Sequence, residues 1–314
     1  MRNSLYWDAF ESRAKNTVFN IINNQQPKVE RVAIFVTNKC NLRCRYCSSK
    51  NNNEEMTREK FVEIVEKHHD SIIHITGGEP SVVKWLYPTM EEMYKRHPNI
   101  SFHLNTNAVL TPPTFIKRLK VSLDSSDSNF WDDLVGRKGA FELVINNIKK
   151  AIPTTVVSIT YTISKANYKQ IPAFINFVKK EFPGVYAVFF SIYKGTNPEF
   201  EITNDVANDF FTNIKPVMDL MLDEESRNLL NETLDEKMRI MQGVRFPENS
   251  NGVCYLSLSE RVYRFDGHES ACSHLFRDGI FNKPGEKHAK CNYGCNRRLV
   301  AFNELVESEL HKYS

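Results

Sequence analysis

The sequence predicts an α/β protein: a partial (β/α)6 barrel of the TIM-like kind with a smaller segment after it. Three observations carry this. Short apolar runs alternate with amphipathic stretches from residue 31 to residue 222, the rhythm of a parallel sheet with right-handed crossovers. Motifs rich in cysteine, glycine and acidic residues fall where the strands end, which is where such sheets bind ligands. Beyond residue 223 the rhythm stops, and four of the seven cysteines lie there.

Taken in order, residues 4–23 carry Leu5, Phe10, Val18, Phe19 and Ile22 among polar residues and read as an amphipathic helix, ended by Gln25-Gln26-Pro27. Residues 1–27 form an N-terminal helical extension, too short for a separate peptide-recognition domain. The barrel occupies 28–223. Its first strand is the β-branched run Val32-Ala33-Ile34-Phe35-Val36, followed by a cysteine loop and a helix near 57–68 that Thr57 starts. A strand at 71–76 precedes a helix near 85–96. The strand at 100–105 runs into Thr106-Asn107-Ala108, Pro112-Pro113 and a short helix. The strand 120–124, a helix near 140–151 and the strand 155–163 follow. A helix near 170–181, the strand 185–192 and a helix near 204–222 complete the series.

Residues 224–314 make a linker helix and a second, small domain. Leu229, Leu230, Leu234, Met238 and Met241 give the stretch 223–241 helical spacing. Between Cys254 and Cys272, the runs 255–259 and 261–266 read as strand, turn and strand, and Asp266-Gly267 adds a turn signal. Cys291 and Cys295 form a tight pair, and residues 299–312 read as a closing helix.

Composition narrows the function. The chain has 314 residues, 41% hydrophobic and 25% charged, ordinary for a soluble globular protein. A net charge of +3 gives no sign of a nucleic-acid surface. No apolar run approaches the ~20 residues that cross a bilayer, and the N-terminus lacks the apolar core of a signal peptide. The expectation is a cytoplasmic protein with reduced thiols and no membrane or nucleic-acid partner. Seven cysteines in such a chain are not a secreted disulfide scaffold.

The chemistry centres on Cys40, Cys44 and Cys47, spaced C-x3-C-x2-C on the loop after the first strand. Three thiolates on so short a loop can converge on a metal centre but cannot fill four positions. An iron–sulfur cube held by three cysteines keeps one iron open. Structural zinc, the competing reading, wants four ligands. At the next strand end, Gly77 and Gly78 permit close backbone approach and positive φ, and Glu79 offers an acceptor for a ligand ammonium.

Together, C-x3-C-x2-C and Gly77-Gly78-Glu79-Pro80 resemble the radical SAM superfamily, whose fold is the partial barrel. The resemblance implies a 4Fe–4S cluster on Cys40, Cys44 and Cys47. It implies S-adenosyl-L-methionine (SAM) chelating the open iron, its amino group received by Gly77, Gly78 and Glu79, and Tyr46 beside the adenine. Ser122 in Val-Ser-Leu-Asp matches a serine that reaches the SAM carboxylate or ribose, and Arg137 an arginine that pairs the carboxylate. Asn105, Thr106, Asp124 and Thr162 are weaker candidates, equally explained as turn or strand-end caps. His74 and His103 alternate with apolar residues, for which satisfied packing is the ordinary explanation.

Residues 250–300 resemble the twitch domain, the shortened relative of the SPASM domain. By that resemblance Cys254, Cys272, Cys291 and Cys295 hold an auxiliary 4Fe–4S cluster; structural zinc is the alternative. The two clusters would then use all seven cysteines, leaving no thiol to quench a radical. The reading is a radical SAM oxidoreductase that abstracts hydrogen from a small polar metabolite such as a sugar or aminocyclitol. The auxiliary cluster would accept an electron, and a flavodoxin or ferredoxin would supply the first one. The alternatives are a maturase acting on a ribosomal peptide, and a redox-neutral cyclase or isomerase in cofactor biosynthesis. A colourless zinc-binding module is the non-enzymatic reading.

Overall fold

In the computed structural model, which describes residues 5–25, 28–47, 53–224, 226–228, 230–231, 234, 254–271 and 297–313, helix α1 (Leu5–Ile22) leads into strand β1 (Arg31–Phe35). Helix α2 (Arg58–Lys67) starts at Thr57, whose hydroxyl accepts from the Lys60 amide. Strand β2 (Ile72–Thr76), helix α3 (Leu86–Arg96), and strands β3 (Ser101–Thr106) and β4 (Arg118–Ser122) follow. The short helix expected before β4 is absent; residues 107–117 form only turns and extended chain. Pro112-Pro113 accounts for this, because two consecutive prolines remove amide donors and disfavour helical backbone before them.

A helix that the sequence reading missed, α4 (Ser128–Val135), fills the connection after β4. The Asp127 carboxylate caps it by accepting from the Phe130 amide, and Gly136 ends it at φ 67°. Then come α5 (Ala140–Ala151), β5 (Val156–Ile163), α6 (Ile171–Glu181) and β6 (Ala187–Ile192). The helix expected at 204–222 is two helices, α7 (Asn204–Asp209) and α8 (Lys215–Met221), joined by a π-helical turn over Phe210–Ile214. Pro216 has no amide hydrogen to give the preceding turn, which explains the interruption.

The sheet has the order β6-β5-β4-β3-β2-β1-β7-β8 and does not close. Strands β1 to β6 are parallel neighbours in sequence order. Strand β7 (Glu260–Tyr263) lies parallel to the free side of β1, and β8 (Glu269–Ser270) returns antiparallel across the Asp266-Gly267 turn. Residues past the expected boundary at 224 therefore extend the barrel's own sheet. The first strand expected in this hairpin, 255–259, is instead a turn of helix, α9 (Leu256–Ser259). All four of its residues are buried, so the Leu-Ser-Leu-Ser alternation that reads as a strand has no exposed face behind it. Helix α10 (Arg297–Leu310) closes the chain against α1 and α9 through Phe302 and Val306. Of the stretch 223–241, residues 224, 226–228, 230–231 and 234 are helical, and Leu230 and Leu234 join the main core. The rest from 225 onward, like Cys272, Cys291 and Cys295, lies outside the described residues.

Strand alternation sets what faces the site. Ile73 and Ile75, Phe102 and Leu104, Leu119 and Val121, and Ile159 and Tyr161 are buried against α2, α3, α5 and α6. Burial of each such side chain contributes ~1.5–3 kcal/mol. The intervening residues on the other face are polar or cationic. They include Thr76, Asn105, Lys120, Ser122, Thr160 and Thr162, all of which line one cavity.

Candidate active site

The cysteine loop is positioned by a hydrogen-bond ladder that outlasts its strands. Beyond β1 and β2, the Val36 amide donates to Thr76 O, Gly78 to Thr37 O at 2.7 Å, and Glu79 to Lys39 O at 2.8 Å. Cys40 follows directly. The glycines are required here by backbone contact. A Cβ on Gly77, which has φ 153°, would stand 2.5 Å from Thr37 O, and one on Gly78 2.3 Å from Lys39 O. Both also line the cavity, but their first task is to let the cysteine loop lie against the second strand end.

Glu79 is 1% exposed and forms the next layer. Its carboxylate accepts from the Ser81 amide (3.0 Å), the Thr106 hydroxyl (2.6 Å) and the Asn107 amide (2.6 Å). Burial raises its pKa despite these donors. Thr106 is thereby engaged as a strut. Asn107 extends the network: its side-chain amide donates to Asn41 Oδ1 at 2.8 Å and lies 4.0 Å from Cys40 Sγ. The Leu42 amide also donates to Cys40 Sγ, at 3.4 Å.

The other half of the loop rests on α4. The Arg43 and Arg45 amides donate to Val135 O and Leu134 O, both at 2.9 Å. Gly136 approaches Arg43 so closely that a Cβ would be 3.1 Å from its carbonyl oxygen. Arg137, beyond this cap, is not among the cavity-lining residues; its amide donates to Asp132 O.

Tyr46 and Asp124 clasp the far side. The Tyr46 hydroxyl donates to Asp124 Oδ2 at 2.6 Å, and the Thr162 amide donates to Oδ1 at 2.6 Å. Phe200 meets the Tyr46 ring edge-on at 6.1 Å. Burial, then the Asp124 charge, pushes the Tyr46 hydroxyl well above its usual pKa, and burial raises Asp124. Ser122 is exposed into the cavity, with Thr162 and Thr160 beside it on β5.

Cys40, Cys44 and Cys47 all line this cavity of about 370 Å³. Burial, Asp124 and the other two cysteines push the Cys44 thiol up to about 12. Three mutually repelling thiolates in such a place require a cationic centre to hold them ionised. Among the described residues, no three His, Cys, Asp or Glu side chains converge as ligands of one metal ion. A cube does not ask for that convergence, since each thiolate binds a different iron. The amide donors at Cys40 suit a cluster-bound sulfur, so the residues fit the group.

An α/β barrel with thiols at its C-terminal mouth and a glycine-carboxylate turn beside them defines a class of cluster-bearing barrel. Comparison specifies it: the Radical SAM superfamily profile matches residues 34–178. Residues 34–178 thus match the domain of a superfamily whose members use a 4Fe–4S cluster and SAM. The chain is 26% identical over 273 residues to a probable GTP 3′,8-cyclase of Methanocaldococcus jannaschii, covering 80% of this chain and 86% of that protein. It is 30% identical over 148 residues to a GTP 3′,8-cyclase of Desulforamulus reducens, covering 42% and 45%. In fold it resembles Streptococcus suis SuiB bound to S-adenosylmethionine, with TM-score 0.56, 14% identity and coverage of 99% and 72%. It also resembles anSMEcpe with bound AdoMet, with TM-score 0.54, 15% identity and coverage of 88% and 82%.

Sequence reasoning missed α4, Asn107 and Lys120. Lys120 was legible, since Arg118, Lys120 and Ser122 alternate along one strand. Asn107 was not, because its contact with Cys40 joins two distant loops.

Two substitutions check this construction. Gly78→Ala forces a side chain against the Lys39 backbone and lowers stability by ~1–3 kcal/mol. Urea denaturation reads it, and an unchanged midpoint would place residues 37–39 elsewhere. Tyr46→Phe deprives the Asp124 carboxylate of one of its donors, a loss of ~1–3 kcal/mol by the same method. Full stability in that variant would separate the two side chains.

Proposed function

We propose that the cavity is a SAM-cleaving centre, with Cys40, Cys44 and Cys47 as cluster ligands. SAM would lie against Tyr46, Gly77, Gly78, Glu79, Ser122 and Thr162. The observation that carries the reading is the convergence of the three thiols, the Gly77–Glu79 turn and the polar ends of β3–β5 on one cavity. When bound, the cluster supplies the electron that splits SAM into methionine and a 5′-deoxyadenosyl radical able to take hydrogen from substrate carbon. The chain's residues prepare that step. Leu42 and Asn107 donate toward Cys40 and stabilise its thiolate. Glu79 keeps room for one more donor on Oε2, where a SAM ammonium fits. Asp124 fixes the Tyr46 ring by its hydroxyl, presenting a flat apolar face for adenine.

For the substrate step, the curated relatives support the alternative reading over sugar oxidation. Cyclase-type, redox-neutral rearrangement of a small molecule is favoured by the long match to a probable GTP 3′,8-cyclase. The peptide reading rests on fold likeness alone. Cys254, with Cys272, Cys291 and Cys295, is proposed to hold the auxiliary cluster. Cys254 is buried between α1, α9 and α10 and precedes β7, whose first residue pairs with the first of β1. It thus sits toward the N-terminal ends of the strands, whereas Cys40 follows their C-terminal ends, so a substrate inside the barrel would lie between the two. A flavodoxin or ferredoxin is the proposed electron donor.

Iron and sulfide analysis after anaerobic reconstitution tests the assignment. The wild-type chain is expected to bind about eight irons and a Cys40/Cys44/Cys47→Ala variant about four. Four falling to none, with zinc present, would make the C-terminal site structural. Cys44→Ala is expected to abolish reductive formation of 5′-deoxyadenosine, and retained cleavage would overturn the ligand assignment. Incubation of the wild type with GTP, and separately with peptide substrates, then reads which one consumes SAM stoichiometrically with product.

A further inference from the structure

Below the cavity the inward face of the barrel becomes cationic. The register sets His74, His103 and Arg118 side by side on β2, β3 and β4. They share the face of Thr76, Asn105 and Lys120, which lie two residues further along each strand and line the cavity. The histidine–arginine layer is therefore about 7 Å deeper. Lys120 Nζ stands 4.8 Å from the centre of the Phe189 ring, and Arg118 Cζ stands 5.5 Å from the same ring and 5.6 Å from that of Tyr186. One aromatic ring thus orders two long cationic side chains that repel each other. No inward position of β2–β6 carries Asp or Glu.

The two histidines add directional groups. Their rings meet edge-to-face at 4.7 Å. Burial and the nearby arginines hold both neutral, pushing His103 down to about 3. His103 Nε2 lies 3.4 Å from Ser101 Oγ, but its Nδ1 is buried without a hydrogen-bond partner among the described atoms. The sequence expectation of a satisfied packing histidine is not met at this atom. A neutral imidazole with its proton there offers a donor to the barrel interior.

We infer that this layer binds an oxyanion of the substrate, a phosphate or carboxylate, held by Arg118, Lys120 and His103. A guanidinium fork, an ammonium and an imidazole N–H match the acceptor oxygens of such a group. Anchored there, the substrate extends toward the strand C-termini and brings its reacting carbon up to the SAM cavity. The inference rests on the reading of that cavity as the SAM site.

The test is calorimetric titration of the full-length, anaerobically reconstituted chain with SAM present, using inorganic phosphate and, separately, glutarate. The wild type is expected to bind at least one of them. Arg118→Met and Lys120→Met each weaken that binding by about tenfold or more, and Lys120→Arg by less than about threefold. Tighter binding of phosphate assigns a phosphorylated substrate, and tighter binding of glutarate a carboxylated one. Equal affinities in wild type and both Met variants, or an equal loss in Lys120→Arg, would overturn the site. So would a wild type that binds neither anion, a result that stands even if the variants fold poorly. SAM cleavage is assayed on the same wild-type sample. Cleavage without anion binding removes only the oxyanion site; absent cleavage and absent SAM binding remove the reading beneath it.

Discussion

The structure depends on a parallel backbone ladder continuing past the ends of β1 and β2. Ordinary strands part where their loops begin. Here residues 36–39 and 76–79 stay paired for one more turn of the ladder. The pairing is possible only because positions 77 and 78 lack side chains. It brings the first cysteine and the carboxylate turn to the same rim. Everything at the mouth of the barrel is referred to that line of hydrogen bonds.

Two buried carboxylates then lock the rim from either side. Glu79 gathers the β2 and β3 loops through Ser81, Thr106 and Asn107. Asp124 gathers the cysteine loop and β5 through Tyr46 and Thr162. Each pays for its burial with short donors, and burial still raises both pKa values. The arrangement is cross-linked by hydrogen bonds where the thiols need mutual position. It stays open where Ser122, Thr160 and Thr162 face the cavity. The helix α4 contributes by ending where it does, since its last carbonyls receive the amides of Arg43 and Arg45.

The alternating strands and helices were legible because strand burial has period two and helix burial has a longer one, and both survive in a linear string. Thr57 announced the start of α2, and the apolar runs announced β1 to β6 to within about two residues. Two local readings failed for stated causes. A fully buried helical turn at Leu256–Ser259 mimicked a strand, and Pro112-Pro113 stopped a helix that periodicity allowed. The spacing of Cys40, Cys44 and Cys47 and the Gly-Gly-Glu turn located the rim without any structure.

The sequence by itself determined the fold class and which strand ends border the cavity. Both follow from local periodicity and from the spacing of residue types along the chain. Tertiary structure decided which polar groups take scaffold bonds and which line the cavity. Thr106 and Asp124 line the cavity but are also held by scaffold bonds, and Lys120 lines it with them. It also decided that β7 joins β1, a pairing across more than two hundred residues that no local pattern records. The physical reason is the same in each case: a hydrogen bond between distant loops is fixed by packing direction, which a linear order does not contain.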